Sequence, residues 1–277
     1  MDEQEKEKYK EHLDDLKEND SDLYEELENP GDYLYGRNPE KDEKKDVTGI
    51  FIKAGVLLIA LFMVLTTAGT LLRYFNLPSI EFLQKSEQLS RNEQIQQYKE
   101  AVVTIEAGGS KGTGFNVSED GLVITNHHVV DNMKKVGVYF PNGFSQEATV
   151  VKTLPELDIA FLQIDAGNDL PFIEVSENKA WEEGEPITFI GNPLMHHQIA
   201  NDGVIIGAME SSNLAKEVMM LDAPVYKGNS GSPVINDEGK VVSVIYATTM
   251  RDVDGERKNV GLAVPAEHFI DILHRRK

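Results

Sequence analysis

The sequence contains no cysteine among its 277 residues. That absence excludes a disulfide framework, a thiolate metal site and a cysteine nucleophile. Basic residues are also few, with 27 Lys and Arg against 47 Asp and Glu, which gives a net charge of −20. Such a negative chain argues against binding to nucleic acid. We find no internal repeat and no phosphate-binding glycine loop, because Gly112-Thr113-Gly114 precedes a predicted strand rather than a helix.

The first 49 residues carry half of the net charge, with 18 acidic and eight basic side chains. Too few apolar residues are present there to bury a core, so we expect residues 1–49 to form a solvated acidic tail. The first part of the tail, through Glu28, can form a solvated helix that Asn29-Pro30-Gly31 would end.

A single long apolar run, Ala54 to Leu72, has 19 residues without a charge. That is about the length of helix that crosses the hydrocarbon core of a membrane. A cleaved signal peptide is the alternative, but the run is longer than a typical signal sequence and no clear small-x-small cleavage site follows it. We therefore predict one transmembrane helix over residues 50–73.

The basic residues around this run predict its orientation. Those that precede it are Arg37, Lys41, Lys44 and Lys45, with Lys53 at its edge, and those that follow it are Arg73, Lys85 and Arg91. The bias favours an N-terminus inside the cell and a C-terminal part outside it. We expect a single-pass protein of a bacterial cell membrane with a cytoplasmic tail.

The remaining residues divide into a polar segment and a β-rich region. Residues 74–99 are polar and rich in glutamine, which predicts a helical stalk or linker. From Ala101 onward, twelve short β-rich runs are separated by turn residues, and a short amphipathic helix follows from Ala266 to His274. The runs are AVVTIEA, GTGFNV, GLVIT, KVGVYF, ATVVKT, DIAFLQI, PITFIG, DGVIIGAM, VMMLDA, SPVIN, KVVSVIYAT and VGLAVP. This spacing predicts an all-β barrel or sandwich over residues 100–277.

Three motifs in the β-rich region offer the groups of a nucleophilic site. Adjacent histidines occur in ITNHHVV, from Ile124 to Val130, and histidine exchanges protons near neutral pH. Asp158 precedes an apolar strand. The sequence GNSGSP can expose the Ser230 hydroxyl and direct backbone amides into one small space, although a plain hairpin turn is the alternative. The order His-Asp-Ser is that of chymotrypsin-type β-barrel proteases.

The segments TNHHVV, LDIAFLQI, IGNP, LDAPVYKGNSGSPVIN and VGLAVPAEHF resemble the HtrA/DegP branch of chymotrypsin-fold serine proteases. They follow the family order over about residues 100–277. The resemblance implies two six-stranded β-barrels with a catalytic triad in the cleft between them. Because the family pattern is T-N-x-H-V-V, it implies that His128, not His127, is the base, with Asp158 as the orienting acid and Ser230 as the nucleophile.

The resemblance also implies the chemistry and the partners. The amides of Gly228, Asn229 and Ser230 would form the oxyanion hole, and no metal or cofactor is needed. Substrates would be unfolded or flexible polypeptides, in quality control or processing outside the cytoplasm. A pseudoprotease that binds peptides as a sensor or chaperone is the alternative, and so is a scaffold in which the acidic tail is the working part. The oligomeric state, including a homo-oligomer, stays open.

The resemblance further implies the position of the substrate pocket. Its floor would be Pro224, six residues before the nucleophile, and its wall the segment Tyr246-Ala247-Thr248. An uncharged floor and a threonine in place of a wall glycine predict a shallow pocket for small or medium aliphatic side chains.

Some features depart from the family pattern. Ser232 stands where the family usually has glycine, which affects the geometry of the turn. Asn229 stands where digestive relatives carry an aspartate that pairs with a newly cut N-terminus, so activation by cleavage is not implied. Only 12 residues follow Pro265, and we expect no PDZ module. A second histidine pair, His196 and His197, is expected in a solvent-facing loop rather than a metal site.

Overall fold

A computed structural model describes residues 3–19, 47–75 and 80–274, except 166, 168, 178–180, 194–197, 212 and 254. The chain divides into two compact units, Met1–Thr70 and Leu71–Lys277. Helix α1, Glu3–Asn19, is polar and its described side chains are exposed. It begins where the sequence predicts a solvated helix, and the predicted end at Asn29-Pro30-Gly31 lies outside the described residues.

Helix α2, Val47–Phe75, contains the long apolar run. Several of its large apolar side chains are exposed, including Phe51, Leu57 and Phe62. Within the described residues, no helix is long and apolar enough to cross a membrane. In α2, the side chains are described without interruption from residue 51 to residue 67.

The described residues of the second unit include twelve strands, and each strand overlaps one of the twelve predicted runs. The first six are β1 Val102–Ala107, β2 Ser110–Asn116, β3 Leu122–Thr125, β4 Lys135–Tyr139, β5 Ser145–Leu154 and β6 Ile159–Ile164. The other six are β7 Pro186–Gly191, β8 Ile199–Glu210, β9 Glu217–Asp222, β10 Pro233–Ile235, β11 Val241–Val253 and β12 Glu256–Pro265. The predicted all-β architecture is confirmed for this part of the chain.

The strands close into two antiparallel barrels of six strands each, as predicted. The first has the order β1-β2-β3-β6-β5-β4 and the second the order β10-β11-β12-β9-β8-β7. Closure pairs every strand on both sides, so neither barrel leaves an unpaired edge. The two barrels have the same strand order when each is counted from its own first strand.

Three apolar clusters stabilise these barrels. One fills the first barrel with side chains such as Val103, Val138 and Leu162, and another fills the second with side chains such as Phe189 and Val234. The third draws on strands of both barrels, including Phe115, Ile124, Phe161, Ile190 and Val244. This shared cluster buries the faces on which the barrels meet, and it therefore fixes the loops that converge at their junction.

Short helices complete the second unit. Helices α3, Ile80–Leu89, and α4, Glu93–Ala101, lie in the segment predicted as a polar stalk, and α5 is the single turn His127–Val130. The predicted C-terminal helix is a 3-10 turn, Ala266–His268, followed by α6, Ile270–His274. Phe82 of α3 and Ile95 of α4 are buried, which means that these two helices pack on the barrels.

Candidate active site

His128 lies on the single turn of helix that follows β3. Asn126 continues the extended backbone with φ −80° and ψ 151°, and α5 then begins at His127. Val129 and Val130 are buried in the core of the first barrel and anchor the turn. The side chain of His128 is 50% exposed and so remains accessible to a substrate.

Both oxygens of the Asp158 carboxylate bind His128. The ring Nδ1 lies 2.6 Å from Oδ2, and the backbone N–H of His128 donates to Oδ1 at 2.9 Å. An ionised carboxylate can only accept hydrogen bonds, so Nδ1 carries the proton of the neutral ring. Nε2 is then left with a free lone pair, which is the tautomer that a general base requires.

The backbone around Asp158 is fixed by the same loop. Asp158 follows the 3-10 turn Pro155–Leu157 and has the left-handed angles φ 55° and ψ 40°, a conformation that aspartate tolerates. Its carbonyl accepts the His127 N–H at 3.1 Å and the Asn126 side-chain amide at 2.9 Å. His127 therefore braces the acid through its backbone rather than through its ring.

The turn from Gly228 to Pro233 holds Ser230 between two glycines with positive φ, 100° at Gly228 and 86° at Gly231. Three of its N–H groups bind carbonyls within the protein. These bonds run from Asn229 to Tyr226 at 3.1 Å, from Gly231 to Ile245 at 2.8 Å and from Ser232 to Asn229 at 3.0 Å. Within the described part of the chain, the N–H groups of Gly228 and Ser230 have no acceptor.

These bonds leave two of the three predicted oxyanion-hole N–H groups free to donate. The N–H of Asn229 is engaged by the Tyr226 carbonyl and is not available to a third oxygen. The free N–H groups of Gly228 and Ser230 flank this engaged amide on either side. Two backbone donors beside a serine hydroxyl are the arrangement that stabilises a developing oxyanion.

Thr113 joins the serine turn to the histidine strand. Its N–H donates to the Ser230 carbonyl at 2.9 Å, and its hydroxyl donates to the Gly228 carbonyl at 2.8 Å. Its own carbonyl accepts the Thr125 hydroxyl at 2.7 Å, three residues before His128. Thr113 is fully buried, so these bonds are not exchanged with water. The loops that carry Ser230 and His128 thus meet at one buried residue.

Ser232, the departure from the family pattern, is accommodated next to a glycine. The Ser232 hydroxyl and both polar atoms of the Asn229 side chain are buried without a hydrogen-bond partner among the described residues. A Cβ added at Gly191 would overlap the Ser232 hydroxyl and lie 2.5 Å from Asn229 Oδ1. Gly191, part of the IGNP motif, therefore leaves the space that Ser232 occupies.

The predicted pocket residues lie on the second barrel beside the serine turn. Pro224 is exposed, and the next residue, Val225, packs against Gly261, where an added Cβ would lie 2.7 Å from the Val225 side chain. Gly261 is in turn the β-sheet partner of Thr248. This pairing brings the predicted floor and wall together. Thr248 is exposed, and no charged side chain belongs to the floor or the wall.

Tyr246 occupies a bulge between the two paired residues Ile245 and Ala247. Its hydroxyl lies 3.4 Å from the Ser211 hydroxyl. Burial is the main cause that raises the pKa of Tyr246; the Ser211 hydrogen bond lowers it, and the negative charge of Asp158 raises it. The Tyr246 phenol is therefore neutral at physiological pH, and its half-buried ring lies close enough to Asp158 for that charge to act on it.

Sequence reasoning missed Thr113, Thr125 and Tyr226 as parts of the site. The only signal for Thr113 in the sequence was its position between two glycines. The structure explains why position 112 is a glycine, because a Cβ there would lie 2.7 Å from Val129. The second histidine pair, His196 and His197, lies outside the described residues. No group of three or more metal-ligating side chains occurs in the described part of the chain.

Comparison with known proteins agrees with this architecture. Residues 112–244 match the trypsin-like peptidase domain. The chain is 31% identical over 172 residues to the mitochondrial serine protease HTRA2 of Bos taurus, covering 60% of this chain and 36% of the relative. It is 33% identical over 208 residues to a probable periplasmic serine endoprotease, DegP-like, of Chlamydia trachomatis, covering 73% of this chain and 37% of the relative.

A solved structure supports the same fold. The serine endoprotease from Yersinia pestis matches with a TM-score of 0.56 and 26% identity, covering 66% of this chain and 64% of that one. Together, these matches support a serine endopeptidase of the HtrA type with a chymotrypsin-like fold. The chain spans 36% and 37% of the length of these two curated relatives.

Proposed function

We propose that this chain hydrolyses peptide bonds through a triad of His128, Asp158 and Ser230. The observation that carries the proposal is the pair of hydrogen bonds from His128 to the two oxygens of Asp158, at 2.6 and 2.9 Å. This pair fixes the ring and its tautomer while leaving Nε2 free.

The mechanism follows from the groups present. Nε2 of His128 takes the proton of the Ser230 hydroxyl as its oxygen attacks the peptide carbonyl carbon. The N–H groups of Gly228 and Ser230 donate to the oxyanion of the tetrahedral intermediate. The imidazolium of His128, stabilised by Asp158, gives its proton to the leaving amine as the C–N bond breaks. Water then attacks the acyl carbon and gives a proton to His128, which passes a proton to the Ser230 oxygen as the ester bond breaks and the carboxylic acid product leaves.

A fluorophosphonate probe tests this function directly, because it reacts only with an activated serine. We expect the full chain to be labelled once, and Ser230→Ala to abolish the label. The chain that has not been exposed to the probe should also cleave an unfolded protein substrate faster than its folded form. Absence of labelling in a correctly folded chain would contradict the proposal and favour the peptide-binding alternative.

The proposed substrate class is a flexible polypeptide with a small or medium aliphatic side chain at the cleaved residue. The floor and wall residues Pro224, Ala247 and Thr248 supply no charge to attract Lys or Arg. Asp222 lies two residues before Pro224, but its carboxylate is 3.6 Å from the Lys258 ammonium, which offsets its charge. Apolar contact is therefore the main source of selectivity at this position.

We expect a peptide library to show cleavage after residues such as Ala, Val and Leu. Thr248→Gly should deepen the pocket and shift the preference toward larger side chains, by about tenfold in relative kcat/KM, because a few methylene groups are worth that much in an apolar pocket. The measurement is mass spectrometry of the cleaved library for both proteins. Selective cleavage after arginine by the unmodified chain would refute the assignment.

The proposed location is a cell membrane, with the α2 segment as its anchor and the barrels outside the cytoplasm. The support comes from the charge-free run of 19 residues and from the basic residues that precede it. The exposed apolar side chains of α2, such as Phe51 and Phe62, are consistent with a lipid environment.

Protease protection on intact protoplasts tests this location. Added protease should digest residues 74–277 and leave a tag at the N-terminus intact, because only the tail would face the cytoplasm. Digestion of the N-terminal tag, with residues 74–277 left intact, would show the opposite topology. Release of the chain from membranes by alkaline carbonate would rule out the anchor.

A further inference from the structure

Helix α3 is fastened to the start of β8 by three polar contacts. They join it to the consecutive residues 200–202: Ala200 N–H donates to the Ser86 hydroxyl at 3.0 Å, the Asn201 side chain donates to the Phe82 carbonyl at 3.2 Å, and Lys85 pairs with Asp202 at 2.6 Å. Ser86 and Phe82 are 4% and 3% exposed. The helix is therefore an integral part of the second barrel's surface.

The aromatic ring of Phe82 reaches the loop that precedes the proposed nucleophile. It meets the ring of Tyr226 edge to face, with centroids 4.7 Å apart and an interplanar angle of 73°. Aromatic pairs prefer this edge-to-face geometry. The Tyr226 carbonyl accepts the N–H of Asn229 at 3.1 Å. Phe82 thus supports the residue that binds one end of the Gly228–Asn229 peptide.

A series of hydrogen bonds links the other end of this peptide to helix α4. The Gly228 carbonyl is held by Thr113, whose hydroxyl in turn accepts the Asn192 N–H at 2.9 Å. The Asn192 side chain accepts the Gln198 N–H at 2.8 Å, and the Gln198 side chain donates to the Lys99 carbonyl of α4. The N–H and the C=O of the Gly228–Asn229 peptide are therefore both linked, through these contacts, to the two helices that precede the barrels.

We infer that Phe82 is a positioning residue for the hydrolysis proposed above, on which this inference rests. By holding Tyr226, it holds the Gly228–Asn229 peptide in the orientation that leaves the Gly228 and Ser230 N–H groups free. The segment from Ile80 to Ala101 is then a working part of the site rather than a spacer. A displacement of α3 would disorder the oxyanion hole while leaving His128 and Asp158 in place.

The test compares Phe82→Ala with Phe140→Ala in the full chain. Phe140 is a matched control because it is as buried, 4% exposed, and also pairs with another aromatic ring, that of Phe144, but belongs to the cluster that fills the first barrel. We expect Phe82→Ala to lower kcat about 10- to 100-fold with little change in KM, because an oxyanion donor acts mainly in the transition state. Phe140→Ala should keep kcat within about twofold while losing comparable thermal stability.

Amide hydrogen exchange of residues 226–231 gives a second measurement that does not depend on activity. Phe82→Ala should accelerate exchange there at least about tenfold, Phe82→Leu should do so less, and Phe140→Ala should not. Equal effects of Phe82→Ala and Phe140→Ala on kcat or on exchange would overturn the positioning role. An unmodified chain that fluorophosphonate does not label would instead overturn the proposed function, while the exchange data would still decide the role of Phe82.

Discussion

Alanine at His128 or at Ser230 is expected to lower turnover of a peptide substrate by about four orders of magnitude, because the members of a triad act as a unit. Loss of the imidazole leaves the Ser230 hydroxyl without an acceptor for its proton. Loss of the hydroxyl leaves no atom to form the acyl-enzyme. The double variant should be no slower than either single variant, and steady-state kinetics on one peptide would show all three values.

His127→Ala is the matched control for this series. The contact of His127 with Asp158 is made by its backbone N–H, at 3.1 Å from the Asp158 carbonyl, and alanine retains it. The expected loss is therefore tenfold at most, on the order of 1 kcal/mol through local packing. An inactive His127→Ala beside an active His128→Ala would show that the assignment is wrong by one residue.

The sequence predicted the strands well because their signals are local. Alternation of apolar residues and the glycines between runs placed all twelve strands. The residues from His127 to Val130, which lie outside the predicted runs, form a single helical turn. β-branched residues such as Val129 favour strands locally, but burial in the barrel core decided their conformation.

The contacts that assemble the site were beyond sequence reasoning because they are non-local. Thr113 binds Gly228, 115 positions away, and the pairing depends on the closure of both barrels. The segment of α3 and α4 was predicted as a polar stalk, since its isolated apolar residues Phe82 and Ile95 are outnumbered by polar ones. Each of those two side chains is buried nonetheless. The catalytic roles of His128, Asp158 and Ser230 stay predictions until activity is measured.

The strongest expected effect on stability is at Gly231, directly after the proposed nucleophile. Its φ is 86°, and an added Cβ would overlap the Thr113 carbonyl oxygen and lie 2.7 Å from the Thr125 hydroxyl oxygen. Thr113 cannot retreat, because it holds the carbonyls of Ser230 and Gly228. We expect Gly231→Ala to lower the free energy of unfolding by at least about 3 kcal/mol, through backbone strain and overpacking together.

Gly255→Ala separates these two causes. Gly255 has nearly the same φ, 81°, but no atom lies within 4 Å of an added Cβ. Its substitution should therefore cost only the backbone strain, about 1 kcal/mol. Urea unfolding of the full chain, followed by the fluorescence of its single tryptophan, Trp181, would measure both variants. If the two losses were equal, the close packing of the serine turn against Thr113 would not be what requires glycine at position 231.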